Sequence, residues 1–356
     1  MKKITSSFLA IILLMGILAA CGGGQAAKEP AEPASTNEGS SDQASSDEYE
    51  EATIRLAYNL PQDHHISIGI EEFAKQVTEK SGGKVKVQVY PAGQLLSDKE
   101  MNQSILTGGV EMGVNSSTLW ASTVPAMGIF DVPYVFPNYE VTGQALAGEM
   151  GNKLKTAMEE KGAKVLMFAD YGYVQFANNK RPLKSPADFE GLKIRSIGDI
   201  PSELIKAYGA SPVFMGGGEV YMALQRDTVD GATSGTTAML QRKYNEVVKY
   251  LTVNNYAYLE FLLAVNKPFW DNLPEKTQKL IEETAAETET WIRQKAEEED
   301  ARTAKELEKL GMEVYYVPEE ELGEWKEAAA PVYDVYLKQA GDLGKELLDI
   351  AESMNK

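Results

Sequence analysis

Gly191-Leu-Lys-Ile-Arg195, followed by Gly209-Ala-Ser-Pro212 and then by Glu219-Val-Tyr-Met-Ala-Leu-Gln225 and Val229-Asp-Gly231, is the stretch from which the fold can be read. In Leu192-Lys-Ile-Arg195 apolar residues alternate with cations, so a short strand buries one face and Arg195 emerges on the other, at the strand end. Asp199 can cap a helix that has Pro201 in its first turn and Gly209 just past its end, which completes a strand-loop-helix unit. Ligands of open α/β sheets collect at the carboxyl ends of strands, where a guanidinium offers a fork of donors matched to a carboxylate. On pattern alone Arg195 reads first as an ordinary solvated charge.

Outward from this unit the same rhythm recurs. Residues 53–58 predict a strand, 67–80 a helix, 84–90 a strand with clean alternation, 98–107 a helix and 110–114 a strand. This β-α-β-α-β order implies a sheet with parallel strands, covered by helices. Beyond the proline-interrupted Phe130-Asp-Val-Pro-Tyr-Val-Phe136, a helix is expected over 139–161 and a strand over 163–169, before a second α/β stretch over about 173–262. A charge-rich helical pattern runs over 274–310 and stops at Gly311, and 319–354 is helical again. The charges around Glu297-Glu-Glu-Asp300 suit a solvated face, though a helix this long can also bridge two lobes or meet a second subunit. Gly216-Gly-Gly218 reads as a tight turn into a helix over 219–225; a phosphate nest is the weaker alternative.

The chain starts Met1-Lys-Lys3, continues with an apolar run over 8–20 and reaches Leu18-Ala-Ala-Cys21, its only cysteine. A basic start, a short apolar run and small residues before a cleavage point describe an export signal over 1–20. With Cys21 next, the pattern resembles a bacterial lipoprotein signal, in which that cysteine is lipidated and anchors the protein to the outer face of the membrane. A plain secretory leader is the alternative. Residues 22–51 are rich in Ala, Pro, Ser, Glu, Asp and Gly, a composition that suits a disordered tether with a reach of roughly 30 Å. No other run is long and apolar enough to span a bilayer. The remainder, from Ala52 on, exceeds the size at which one core usually keeps growing, so two lobes are expected. The net charge of −18, about −20 without Lys2 and Lys3, argues against nucleic acid and anionic lipid as partners.

Metal ligands cluster only at His64-His65, near Asp63, Glu71 and Glu72, and adjacent histidines point apart in regular structure, so no metal is expected. Whether these histidines reach a ligand is open. There is no nucleophile elbow, no lysine-bearing phosphate loop and no usable catalytic cysteine, which leaves little for an enzyme and no cofactor motif. Trp120, Trp270, Tyr221, Tyr256 and Tyr258 can wall a ligand site, although each alone is more often core packing or a rim contact.

From about Thr53 onward the chain resembles the solute-binding proteins of tripartite ATP-independent periplasmic (TRAP) transporters, the DctP type. The resemblance is carried by Tyr90-Pro-Ala-Gly-Gln-Leu95, Asp131-Val-Pro-Tyr134, the four opening segments, Glu246-Val-Val-Lys-Tyr250 and Phe269-Trp-Asp-Asn-Leu-Pro274, all in order. It implies a periplasmic-binding-protein-like α/β fold with two lobes, joined by crossing strands and a long helix, and a ligand cleft between them. The implied lobes are 52–171 with about 262–300, and 172–261 with about 301–356. It further implies a non-enzymatic receptor for a small organic acid that is handed to a permease driven by an ion gradient; a receptor reporting to a membrane sensor is the alternative, and an exported enzyme of this architecture a remote one.

By the same resemblance Arg195 pairs with the ligand carboxylate, Asn59, Asn115, Ser116 and Ser234 align with other ligand-facing positions, and Tyr256 lies where many members carry a histidine; Glu219 and Trp120 are further candidate ligand-binding residues. The chain departs from the family pattern where a second arginine is replaced by Val174, where Ala232-Thr-Ser-Gly235 follows Asp230-Gly231, and where an aromatic residue is lost within Gly216-Gly-Gly218. One cation fewer and one aromatic wall fewer favour a monocarboxylate over a dicarboxylate.

Overall fold

The computed structural model describes residues 49–355; the leader, Cys21 and the tether up to residue 48 lie outside them. Nine strands form one sheet: β1 (Ala52–Tyr58), β2 (Val85–Tyr90), β3 (Met112–Ser116), β4 (Ala163–Asn178), β5 (Lys193–Ser196), β6 (Ser211–Phe214), β7 (Gly231–Gly235), β8 (Tyr250–Asn266) and β9 (Glu313–Tyr316). Their order is β2-β1-β3-β8-β4-β7-β5-β6, with β9 added on β8. β1 runs parallel to β2 and β3 in one half, and β5 runs parallel to β6 and β7 in the other. Two α/β units thus share a central antiparallel pair, β4 and β8, which is the two-lobed arrangement.

The sequence reading ends a strand at residue 169, yet β4 continues to Asn178 as one 16-residue strand. Its residues are almost all buried, so the polar-apolar alternation that marks a half-exposed strand is missing. Pairing with β8 slips register three times, between Val165 and Met167, between Asp170 and Gly172 and between Val174 and Phe176, and each slip bends the strand. Gly172 sits at the second slip with φ +100°, and a Cβ there would lie 2.5 Å from Asp300 Oδ2. Only glycine meets both conditions.

The helix Glu275–Lys309 packs along this central pair and against the helix His65–Lys80. It is fastened by Asp300, whose Oδ2 accepts from the Tyr139 hydroxyl at 2.6 Å and the Tyr173 amide at 2.8 Å. Arg293 of the same helix donates to Asp170 Oδ2 at 3.1 Å and to Glu289 at 3.0 Å. Part of the acidic run around Glu297-Glu-Glu-Asp300 is therefore a structural clamp rather than a solvated face. The single helix expected over 139–161 is two, Tyr139–Ala147 and Glu149–Glu160, broken at Gly148. The C-terminal helix Pro331–Met354, bent at Gly341, bridges the halves by packing on the 3-10 turn Pro125–Asp131 and on the helix Asp199–Ala207. Among the described residues no helix is long and apolar enough to cross a membrane.

Asp170 on β4 stands directly opposite Glu260 on β8, and both are fully buried. Asp170 is satisfied by the Tyr258 hydroxyl at 2.6 Å and by Arg293, whereas neither carboxylate oxygen of Glu260 has a hydrogen-bond partner among the described residues. Burial, reinforced by the charge of Asp170, holds Glu260 protonated well above the ordinary carboxylate range. The folded chain thus keeps a proton that the unfolded chain releases, so stability declines as pH rises from the ordinary carboxylate range toward the raised value. Glu260→Gln should match the wild type near pH 5 and gain on it by about 1 kcal/mol or more by pH 8. Thermal melts at the two pH values test this, and an unchanged difference between the proteins would refute it.

Candidate functional site

Arg195 lies in β5 with Ile194, which is fully buried, and Lys193, which is exposed. The alternation is as expected, but the second face of β5 is not solvent: Arg195 is only 4% exposed. Its Nε donates to the Met215 carbonyl at 3.1 Å and its Nη1 to the Thr233 carbonyl at 2.8 Å. Among the described residues it has no ion-pair partner, and burial pushes its guanidinium below the ordinary value for arginine. After β5 the helix begins at Asp199 with Gly198, φ −167°, as its N-cap, so Asp199 is the first helical residue rather than the cap.

Arg195 faces a small cavity of about 40 Å³ between the β1-β3 half and the β5-β7 half. Asn59, Asn115, Ser116, Ser234 and Tyr256 line it too, so five residues from three strands and one loop converge with Arg195. Asn115 ends its strand held on both sides: its Nδ2 donates to the Asp98 carbonyl and to Asn102 Oδ1, each at 2.8 Å, and its Oδ1 accepts from the Ser116 amide. Ser116 caps the helix Ser117–Trp120 by accepting the Leu119 amide at 3.3 Å. Ser234 shares a 2.9 Å hydrogen bond with the Tyr171 hydroxyl. Tyr256 is buried and stacks on Phe176 with ring centroids 4.6 Å apart.

Two sequence candidates fall elsewhere. Trp120 is completely buried and does not line the cavity, because the short helix that carries it turns it into the core. Glu219 is exposed at the mouth, where it accepts from Lys99 Nζ and from the Gly216 amide, both at 2.8 Å. His64 and His65 are buried with rings only 4.4 Å apart, contrary to the expectation that neighbours diverge, since His64 is an N-cap whose Nδ1 accepts the Ile66 amide. His65 bonds the Asp170 carbonyl instead, and neither histidine lines the cavity.

The sequence reading also missed residues. Arg242, at the end of the helix Thr236–Gln241, lines the cavity and donates to Asn59 Oδ1 at 3.4 Å. A second cation is therefore present, supplied by a helix end instead of by position 174, where Val174 also lines the wall. Tyr171 and Phe261, stacked at 5.1 Å, provide aromatic wall that the Gly216-Gly-Gly218 turn lacks. No signal in a single sequence ties these positions to Arg195, because each comes from an element distant in the chain.

Two buried acids complete the lining. Asp98 opens the helix Asp98–Leu106, accepting from the Lys99 amide at 3.0 Å and, across the cavity, from the Gly217 amide at 2.8 Å. The triple glycine is thus a turn that receives this carboxylate: a Cβ on Gly216 would lie 2.5 Å from Asp98 Oδ1, and one on Gly217 would collide with Arg242. Asp131 accepts from the Thr118 hydroxyl at 2.7 Å, and burial pushes its carboxyl up to about 7.

Comparison with known proteins agrees with this geometry. The profile of the bacterial extracellular solute-binding protein family 7, DctP, matches residues 56–339. The C4-dicarboxylate-binding periplasmic protein DctP of Rhodobacter capsulatus is 33% identical over 295 residues, 82% of this chain and 88% of that protein. The C4-dicarboxylate-binding protein DctB of Bacillus subtilis is 28% identical, covering 83% and 84%. Among solved structures, the sugar acid binding protein DctPAm of Advenella mimigardefordensis in complex with galactonate superposes with a TM-score of 0.83 at 27% identity, over 86% of this chain and 99% of that one. A TRAP periplasmic solute-binding protein of Sulfurospirillum deleyianum with bound succinate gives 0.81 at 28% identity, over 86% and 99%. With its two α/β lobes, its buried unpaired arginine and a profile match across most of its length, this chain belongs to the DctP family of extracytoplasmic TRAP-transporter solute receptors, which capture organic acids and are not enzymes.

Proposed function

We propose that the receptor clamps one carboxylate of a small organic acid on Arg195 and encloses the rest of the ligand between its lobes. The observation that carries this reading is the state of Arg195: buried, bonded only to two carbonyls, and facing a cavity whose two acids, Asp98 and Asp131, form no ion pair with it. A buried charge without a partner is costly, and a ligand carboxylate offsets that cost. Asn59, Asn115, Ser116, Ser234 and Tyr256 supply further hydrogen bonds from both sides. Bonds to charged groups contribute about 1.5–3 kcal/mol each, so a bidentate pair plus a few neutral bonds reaches the roughly 8 kcal/mol of micromolar affinity. The carboxylic ligands of the relatives, C4-dicarboxylates, galactonate and succinate, support an acid as ligand. The preference for a monocarboxylate rested on one cation and one aromatic wall fewer, and Arg242 together with Tyr171 and Phe261 removes that ground.

The clamp works as a hinge. The implied lobes, 52–171 with 262–300 and 172–261 with 301–356, move about β4 and β8, and the helix Pro331–Met354 bridges them. Asp98 and Lys99 of the first lobe then meet Gly217 and Glu219 of the second as a latch over the ligand. The closed receptor delivers its acid to the two membrane subunits of a TRAP permease. Lipidation at Cys21, with the acidic tether up to residue 51, keeps the receptor on the outer face of the membrane near that permease.

Arg195→Ala should lose at least about 100-fold in affinity for any acid the wild type binds, with little change in melting temperature. Calorimetry on the two proteins checks this, and equal affinities would remove Arg195 from its role. Gly216→Ala, which drives a methyl group against Asp98, should weaken binding several-fold through the latch alone. Its ligand-bound form should scatter X-rays as a more open particle than the wild type does; identical scattering and affinity would show that the latch does not hold the closed state.

A further inference from the structure

Asp131 is the cavity residue whose chemistry the clamp leaves unused. It ends the 3-10 turn Pro125–Asp131, beside Thr118 and Tyr256, and is 3% exposed. Its Oδ1 accepts from the Thr118 hydroxyl, and its Oδ2 has no partner among the described residues. Asp131, Thr118 and Ile197 line both this cavity and the larger cleft beside it, so the carboxyl sits where the two spaces meet.

We propose that Asp131 is a specificity-determining residue whose Oδ2 accepts a hydrogen bond from a hydroxyl of the bound acid, so that the receptor selects hydroxylated carboxylates over bare ones. The inference rests on the reading of the cavity as a carboxylate site. Three ligand chemistries can meet a buried, unpartnered carboxylate, and the cavity separates them. An apolar ligand leaves the oxygen unsatisfied in a dry site, a penalty usually avoided in folded proteins. A second ligand carboxylate placed there repels it. An ammonium pairs with it but adds a third cation to a cavity that already holds the guanidiniums of Arg195 and Arg242. A hydroxyl satisfies the oxygen without changing the charge. Asp98, the other acid in the lining, is not available for this role, because its two oxygens are taken by the Gly217 and Lys99 amides. The carboxyl of Asp131, pushed up to about 7 by burial, is ionised in an appreciable fraction of molecules at neutral pH and becomes a full acceptor once a donor arrives.

The test is a double-mutant cycle by calorimetry at pH 8, with D-erythronate against butanoate and D-galactonate against hexanoate as chain-matched pairs, and 4-aminobutanoate as the cationic arm. The wild type should bind at least one hydroxylated acid tenfold or more tightly than its bare match and than 4-aminobutanoate. Asp131→Leu should reduce that ratio tenfold or more by weakening the hydroxylated acid, while Arg195→Ala weakens both members of a pair. A thermal melt shows whether Asp131→Leu is folded; if it is not, Asp131→Asn, which keeps the acceptor for Thr118, should still reduce the ratio at least threefold. A ratio unchanged in the folded variant, or tightest binding of butanoate, hexanoate or 4-aminobutanoate, would overturn the role of Asp131 and leave the Arg195 clamp standing. A wild type that binds no carboxylate at all would overturn both.

Discussion

The antiparallel pairing of β4 with β8 is the constraint on which the rest of this structure depends. Two strands of 16 and 17 residues share hydrogen bonds from Ala163 opposite Asn266 to Asn178 opposite Tyr250, so the two α/β units are parts of one sheet. Each register slip bends the pair between the units, and the helix Glu275–Lys309 is fastened to those bends through Arg293 and Asp300. The same strands bring Tyr171, Val174, Tyr256, Leu259 and Phe261 to the cavity wall. Binding and hinge motion therefore draw on one set of backbone bonds, which is how a small ligand can bias the relation of two large bodies.

Electrostatics within the cavity oppose those of the molecule as a whole. A chain of net charge −18 places two guanidiniums in its cavity and spends one of the two acids there, Asp98, on backbone amides across the gap. At short range in a poorly solvated site such local charges outweigh a diffuse field screened by salt. The exposed Lys99–Glu219 pair at the mouth contributes little by itself. Its partner bond from Gly217 to Asp98, buried and charge-assisted, carries more of the contact between the lobes.

Much of the first lobe was legible because β2 is half-covered, its helices are amphipathic and glycine pairs punctuate the elements. β2 keeps the alternation that the eye finds in residues 84–90, and the strand and helix ends before and after it fall within about two residues of expectation. Legibility failed where burial is complete. β4 has no exposed face to announce its length, so its second half, with the hinge, was assigned to the second α/β stretch. Of the candidate site, Arg195, Asn59, Asn115, Ser116, Ser234 and Tyr256 were found through their motifs and share one cavity, whereas Trp120 was misplaced because an aromatic side chain suits a core as well as a wall. Arg242 and Asp131 were passed over for the converse reason. A helix-end arginine has no local feature that distinguishes a site from a surface, and Asp131, although it opens the Asp131-Val-Pro-Tyr134 motif, was read there only as part of the family resemblance.

The sequence by itself determined the kind of protein this is: an α/β chain with no nucleophile-elbow motif, a strand bearing Arg195, and a series of motifs in one order. Those features are local, set by residue type, periodicity and spacing along the chain. Only the tertiary structure decided what Arg195 faces, that Arg242 joins it, and that Asp131 keeps an oxygen without a donor. Such facts depend on which side chains meet across a cleft between elements more than a hundred residues apart, and burial and pairing of charge are properties of that meeting and not of any one segment.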